Sequence, residues 1–180
     1  SYKPAKLMNS EIYLRPWKKE DISPLTLIAN NRHIWNNVRD SLPHPYKLKD
    51  AEAWISHCRR QKPQLNFAII YNERLAGSIG CTPQTDIHRK SMEIGYFVGE
   101  PFWNKGIAGR AVRILLNYIE KEFDVVRVFA EVFEFNKASM RVLHKNGFYL
   151  ENIRRKAVIK NNRIMDDYVW VKLLGRKNSN

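Results

Sequence analysis

Apolar residues follow a helical spacing through most of the first third of the chain. A short apolar strand is predicted over Ile12–Trp17. From Asp21 to Val38 apolar positions recur three or four residues apart until the Asn30-Asn31 pair interrupts them, which predicts two short helices. A proline-containing loop follows. Helical spacing returns over Asp50–Gln61, where Asp50 is the expected N-cap.

From Leu65 onward, runs of β-branched and aromatic residues replace much of the helical spacing. The predicted elements, in chain order, are a hairpin over 65–81 that turns at the sequence NER, a strand over 91–99, a helix within 100–123, a strand over 125–133, a helix over 136–147 with Gly147 just past its end, and a second hairpin over 157–174 that turns at Asn161-Asn162. Helices followed by strands that alternate with helices predict a mixed α/β fold. We expect a single domain over residues 1–180, with its core at about 10–175.

The composition is that of an ordinary soluble globular protein, with 44% hydrophobic and 27% charged residues. No apolar run approaches the roughly 20 residues that span a bilayer, and the first residues contain no apolar signal segment. Cys58 and Cys81 are too few for a disulfide framework. These features predict a cytoplasmic protein without a membrane partner.

The net charge of +13 is compatible with a polyanionic ligand, an acidic protein partner, a nucleic acid or simple solubility. A nucleic-acid-binding protein would need a clustered basic face with aromatic residues for stacking. Lysine and arginine are instead spread along the whole chain. A nucleic-acid partner is therefore not expected.

The segment EPFWNKGIAGRAVRILLNYIEKEF, Glu100 to Phe123, places small residues at the start of an amphipathic helix. The N–H groups of a first helical turn have no partner inside the helix, and with the helix dipole they suit phosphate. Lys105 adds a full positive charge. The NTPase signature and the dinucleotide pattern G-x-G-x-x-G are both absent. Tight packing of the helix against a strand therefore remains an equally open interpretation of the glycines.

The strand before this helix leaves through the sequence GYFVGEPFW. Glycine and proline at a strand exit predict a bulge or splay, which leaves strand N–H and C=O groups without a ladder partner. An extended ligand arm that carries amide groups could pair with those groups. The strand exit and the helix start together favour a ligand with both an amide-containing arm and a phosphate.

A second motif lies about thirty residues further on, in NKASMRVLHKNGF. With it, nearly the whole chain resembles the GNAT superfamily of acyl-CoA-dependent N-acetyltransferases, and more narrowly the branch that contains the Rim-type ribosomal-protein N-terminal acetyltransferases. The family's pyrophosphate loop is commonly Q/R-x-x-G-x-G/A, and here it reads Trp103 to Ala108, with Trp103 in place of glutamine or arginine. The family's second signature, N-x-x-(A/S)…K-x-G-F, is met by Asn136, Ser139, Lys145, Gly147 and Phe148.

The resemblance implies a central, twisted, mostly antiparallel sheet of about seven strands, splayed at the cofactor site and flanked by helices. It also implies acetyl-CoA as co-substrate and no metal, and the five histidines show no metal-ligand spacing. The coenzyme's diphosphate would meet the loop amides and its pantetheine arm the splayed strand. The cofactor-binding residues implied are Tyr96, Phe97, Val98, Trp103, Asn104, Lys105, Gly106, Ile107, Ala108, Gly109 and Asn136.

For catalysis the resemblance implies Glu93 as a general base acting through water and Ser139 as the proton donor to the leaving thiolate. The alternatives are a solvated or arginine-paired Glu93 and a Ser139 that only caps its helix. Many family members carry a tyrosine acid where this chain has Leu143. That difference keeps open a non-catalytic acyl-CoA-binding module beside the enzyme.

The acceptor is a primary amine, either a protein N-terminus or a small molecule, attacked directly in a ternary complex. The Asp166-Asp167 pair could attract a cationic amine, although paired acids beside a turn are usually solvated. The family resemblance is compatible with a monomer or a homodimer.

Overall fold

The computed structural model describes residues 11–175, and it contains a seven-stranded sheet flanked by helices. The strands lie in the order β1-β2-β3-β4-β5-β7-β6. Pairing is antiparallel for β1–β2, β2–β3, β5–β7 and β6–β7, and parallel for β4–β5. The strands are β1 Ile12–Pro16, β2 Asn66–Tyr71, β3 Arg74–Pro83, β4 Ser91–Val98, β5 Arg127–Phe133, β6 Tyr149–Lys160 and β7 Arg163–Leu173. The helices are α1 Ile22–Ala29, α2 Arg32–Trp35, α3 Leu48–Arg59, α4 Ile107–Glu122 and α5 Lys137–Lys145.

Contacts divide the chain into two compact units. The first unit contains the chain up to Gly80 and the segment Tyr96–Ile114, and the second contains Cys81–Gly95 and the chain from Leu115 onward. The division falls within β3, β4 and α4. The expected single domain stays a prediction.

The core of the first unit packs α1 and α3 against β2. Its buried residues include Trp17, Leu25, Ala29, Tyr46, Ala51, Ile55, Cys58, Ala68 and Ile70. Beside this core Asp21, only 4% exposed, accepts two hydrogen bonds from the Arg15 guanidinium, at 2.7 and 2.8 Å, and one from the Lys18 N–H at 2.8 Å. Because two donors share the charge of this buried carboxylate, the start of α1 is fixed to β1.

The second unit is built around β5, β7 and β6. The inward positions of β5, Val128, Ala130 and Val132, are buried, whereas β6 is an edge strand with mostly exposed side chains. Ion pairs join β6 to its neighbours, among them Arg127 with Glu151 at 2.6 Å and Arg154 with Glu131 at 2.9 Å. Asn161 and Asn162 form the hairpin turn, both with positive φ, as predicted.

Several sequence-based expectations need correction. Asp50 is not the N-cap of α3: the helix begins at Leu48 after Lys47, and the Asp50 carboxylate reaches back to accept the Lys47 N–H at 2.8 Å. The second hairpin is longer than predicted, because its first strand begins at Tyr149.

The acidic pair of the second hairpin is not solvated. Asp167 is only 1% exposed and lies 3.6 Å from the Arg154 guanidinium. Asp166 accepts the Lys156 N–H at 2.9 Å and bonds Arg155 at 2.8 Å, and these two donors lower the pKa of its carboxyl. Local partners therefore neutralise the charge that was expected to attract an amine.

Candidate active site

The end of β4 presents one peptide edge away from β3. The Gly99 N–H donates to the Ala76 carbonyl of β3 at 2.7 Å. Because the C=O and N–H of a trans peptide point in opposite directions, the Val98 carbonyl points away from β3. One peptide earlier the Phe97 carbonyl faces Gly77 of β3, where an added Cβ would lie 2.3 Å from that oxygen. The Val98 N–H therefore points away from β3 as well.

This strand end extends beyond the parallel pairing of β4. That pairing joins Ser91, Met92 and Glu93 to the first three residues of β5, whereas β4 continues to Val98. The geometry agrees with a strand whose far end is released from the parallel ladder. The predicted cofactor residues Tyr96, Phe97 and Val98 all lie in this released part.

Trp103 occupies the Val98 carbonyl. Its indole Nε1 donates a hydrogen bond to that oxygen at 2.7 Å, and its main-chain N–H donates to the Glu100 carbonyl at 3.1 Å. The expectation that strand-end carbonyls are vacant is therefore wrong at Val98. Only the N–H of that residue remains as a polar group on this edge.

The turn before Trp103 is fixed by side chains from the helical part of the first unit. The Glu100 carboxylate accepts a hydrogen bond from Asn31 Nδ2 at 2.6 Å and contacts His33 Nδ1 at 3.1 Å. These partners, Asn31 first, lower the pKa of the Glu100 carboxyl. The His33 ring also lies 6.5 Å from the Trp103 ring, centroid to centroid.

Phe102 anchors the same turn to the sheet. Its ring is buried and meets the Tyr71 ring edge-on, with centroids 6.3 Å apart. The Arg74 guanidinium lies 5.0 Å from the Phe102 ring centroid. The chain between Val98 and Trp103 is thus held by apolar and polar contacts together.

The stretch from Asn104 to Gly106 is exposed and contains two residues in the left-handed region, Asn104 with φ of 62° and Gly106 with φ of 71°. The main-chain bonding of α4 begins with the Arg110 N–H, which donates to the Gly106 carbonyl at 3.3 Å. The N–H groups of Ile107 and Ala108 precede that bond and have no acceptor in the helix. The loop therefore presents main-chain donors around an open surface, and an added Cβ at Gly106 would have no neighbour within 4 Å.

The second signature forms the start of α5 in the second unit. The Asn136 side chain is the N-cap, and its Oδ1 accepts the Ser139 N–H at 3.2 Å. The interpretation of Ser139 as the cap is therefore wrong, since the cap is Asn136. Ser139 is half-buried at the third position of the helix.

The two other positions considered for catalysis lie at opposite extremes of use. Glu93 is half-buried on β4, opposite Phe129 in the last pair of the parallel ladder. Leu143 is fully buried in the core of α5. No hydroxyl therefore replaces the family's tyrosine at that position.

Sequence reasoning missed three contributors to this region. Gly77 allows β3 and the end of β4 to approach closely, and a glycine inside a strand pattern is the signal that could have indicated it. Glu100 and its two side-chain partners are separated by about seventy residues in sequence, so no local pattern joins them. The donor role of Trp103 needs the three-dimensional path of the turn.

Comparison with known proteins identifies relatives of the chain. Residues 11–149 match the family model described as an acetyltransferase (GNAT) domain. The chain is 35% identical over 175 residues to "Probable N-acetyltransferase YjcK" of Bacillus subtilis, covering 93% of this chain and 96% of that protein. It is 32% identical over 129 residues to "Putative ribosomal N-acetyltransferase YdaF" of the same organism, covering 70% and 69%.

Among solved structures, the chain superposes on the RimL ribosomal L7/L12 alpha-N-protein acetyltransferase in complex with coenzyme A. The TM-score is 0.82 at 18% identity, over 92% of this chain and 96% of that one. The likeness confirms the predicted fold class, including the seven-stranded sheet.

Proposed function

The chain belongs to the acetyltransferase (GNAT) domain family and is an acetyl-CoA-dependent N-acetyltransferase, and from that premise we propose which groups bind acetyl-CoA and which amine is acetylated. The relatives bear names of N-acetyltransferases, which favours the enzyme over a non-catalytic binding module. The acceptor is a primary amine, on a protein N-terminus or on a small molecule.

The loop Asn104–Gly109 binds the diphosphate of acetyl-CoA. The observation that carries this proposal is the cluster of main-chain donors at the start of α4, including the N–H groups of Ile107 and Ala108. Such donors at the positive end of a helix dipole suit an anion. Lys105, exposed in the same stretch, adds a full charge. The two positive φ values turn the loop around the space that the phosphates would fill.

The released end of β4 binds the pantetheine arm and the thioester. Tyr96, Phe97 and Val98 offer an extended main chain, as an amide-containing arm requires. The Val98 N–H points away from β3 and is the donor that we assign to the thioester carbonyl. A donor at that oxygen stabilises the negative charge that develops when the amine attacks. By the family resemblance Asn136 holds the arm, and its amide nitrogen remains a donor while its oxygen caps α5.

Ser139 and Glu93 carry the proton transfers. The attacking amine must lose a proton, and the departing thiolate gains one as the C–S bond breaks. Glu93 takes the amine proton through water, and Ser139 gives the thiolate its proton. Leu143 lies in the core and supplies neither.

The acceptor places the protein in the Rim-type branch of the family, where protein N-termini are acetylated. The likeness to the YdaF protein supports this assignment. We place the enzyme in the cytoplasm, as a monomer or homodimer without a nucleic-acid partner. Both cysteines are free thiols, which supports a reducing compartment. None of the described helices is both long and apolar enough to cross a membrane.

Binding is tested by thermal unfolding with and without acetyl-CoA. Ligand at 100 times its Kd stabilises a protein by about 2.7 kcal/mol, a rise in Tm of about 5–10 °C for a chain of this size. Gly106→Asp should abolish the rise, because a carboxylate would face the phosphates. Gly106→Ala is the matched control: it meets no neighbour within 4 Å and should keep most of the rise despite its strained φ. A wild-type protein without any shift at millimolar acetyl-CoA contradicts the proposal.

The acceptor is tested with labelled acetyl-CoA and three substrates: a peptide with a free α-amine, the same peptide with a blocked N-terminus, and a panel of small amines. Label on the first peptide alone supports acetylation of protein N-termini. Label on small amines alone excludes the Rim-type assignment. Cofactor binding without label on any acceptor would favour the non-catalytic module.

A further inference from the structure

Trp103 is held at the surface by a polar bond rather than by burial. Its side chain is 39% exposed, an unusual position for so large an apolar group. Its indole N–H nevertheless has a short, specific acceptor in the Val98 carbonyl, at 2.7 Å. Because the aromatic ring gains little from burial there, the hydrogen bond is the feature that explains a tryptophan at this position.

Trp103 is also the last anchored residue before the phosphate loop. Two hydrogen bonds fix it, one from its main chain to Glu100 and one from its side chain to Val98. The next buried residue along the chain is Ile107, at 2% exposure. The exposed residues Asn104 to Gly106 are therefore suspended between Trp103 and Ile107, and their N–H groups are positioned by those anchors.

The Val98 carbonyl belongs to the same residue as the N–H that we assign to the thioester. A bond from Trp103 to that carbonyl therefore joins the phosphate loop directly to the main chain that receives the reacting end of the substrate. Glu100, held by Asn31 and His33, fixes the intervening turn from the other side. Loop and strand end are thereby set in one geometry before the ligand arrives, which reduces the ordering cost of binding.

We propose that Trp103 is a positioning residue for acetyl-CoA, whose indole N–H on the Val98 carbonyl sets the phosphate loop against the end of β4. The inference rests on the proposed cofactor site and goes beyond it, since it assigns the side chain at position 103 rather than the loop amides. It requires an N–H donor at this position, not an aromatic ring. A side chain such as glutamine, which has an amide N–H at the end of a flexible chain, meets the same requirement.

The test compares Trp103→Phe, which keeps a ring but loses the donor, with Trp103→Gln, which restores a donor without the ring. Trp170→Phe is the matched control, because the Trp170 indole nitrogen has no hydrogen-bond partner among the described residues. Each protein is measured for CoA affinity by calorimetry, for KM and kcat with acetyl-CoA, and for Tm.

Trp103→Phe should raise the CoA Kd and the acetyl-CoA KM about three- to tenfold, the effect of one lost hydrogen bond, with kcat changed less than about twofold. Trp103→Gln should recover most of that loss, and Trp170→Phe should match the wild type. The inference is overturned if Trp103→Phe binds CoA like the wild type, or if Trp103→Gln binds no better than Trp103→Phe. A fall in kcat and Tm together with affinity would show a general structural role and also overturn it. A wild-type protein that fails to bind CoA would instead refute the proposed function.

Discussion

Gly77 of β3 controls how closely β3 approaches the end of β4. A Cβ at this position would lie 2.3 Å from the Phe97 carbonyl oxygen and 3.0 Å from the Val98 Cα. Both atoms belong to main chain, so no side-chain rotation relieves the contact. Gly77→Ala must therefore push the end of β4 away from β3, and with it the Val98 N–H on which our account of the thioester depends.

The magnitude follows from the cost of inserting a methyl group into packed main chain, about 1–3 kcal/mol. For a chain of this size each kcal/mol lowers Tm by about 2–4 °C. Displacement of the strand end should also weaken catalysis, because positioning errors well below 1 Å already affect a reacting group. We expect kcat/KM for acetyl-CoA to fall at least about tenfold.

Gly95→Ala is the matched control on the next strand, since an added Cβ there has no neighbour within 4 Å. It should leave kcat/KM unchanged and raise stability slightly, by restricting the unfolded chain. Urea unfolding and steady-state kinetics on both variants decide the question. If Gly77→Ala matches the wild type in stability and kcat/KM, the close approach of β3 to β4 is not what sets this site.

Three further predictions concern buried groups and the start of α5. Asp21→Asn should cost about 3 kcal/mol in urea unfolding, because it leaves a largely buried arginine unpaired, and a loss below about 1 kcal/mol contradicts the pairing. Burial raises the pKa of Cys58 and Cys81 to about 12, so at pH 8 a thiol reagent should label neither until urea is added, and rapid labelling of the folded protein would refute that burial. Asn136→Ala should cost about 1 kcal/mol as a lost cap, whereas Ser139→Ala should keep stability and lower kcat about a hundredfold. Equal stability losses would remove the distinction between cap and proton donor.

The sequence was sufficient for elements whose pattern is local. The alternation of 65–81 and the Asn161-Asn162 turn gave both hairpins, because turn residues with positive φ and alternating side chains act over a few positions. The apolar stripe of α4 likewise matched a buried face that includes Ala111, Val112 and Leu115. The first half of β6 was missed, because an exposed edge strand with charged side chains lacks that alternation.

The candidate site was predictable only where a motif carries its own chemistry. Small residues at a helix start indicate a main-chain anion site directly, so the loop before α4 could be found from sequence. The use of Asn136 as a cap rather than Ser139 depends on where the helix begins, which is the least certain feature of a pattern. The bond from Trp103 to Val98 depends on a tight turn, and nothing in the sequence specifies the acceptor.

The most direct measurement of the central claim is a crystal structure of the protein with CoA. The account predicts diphosphate oxygens within hydrogen-bond distance of main-chain nitrogens between Asn104 and Ala108, with the pantetheine arm along Tyr96–Val98. It also predicts that Trp103 still donates to the Val98 carbonyl in the complex. Diphosphate bound elsewhere, with the loop nitrogens left to solvent, would contradict the account.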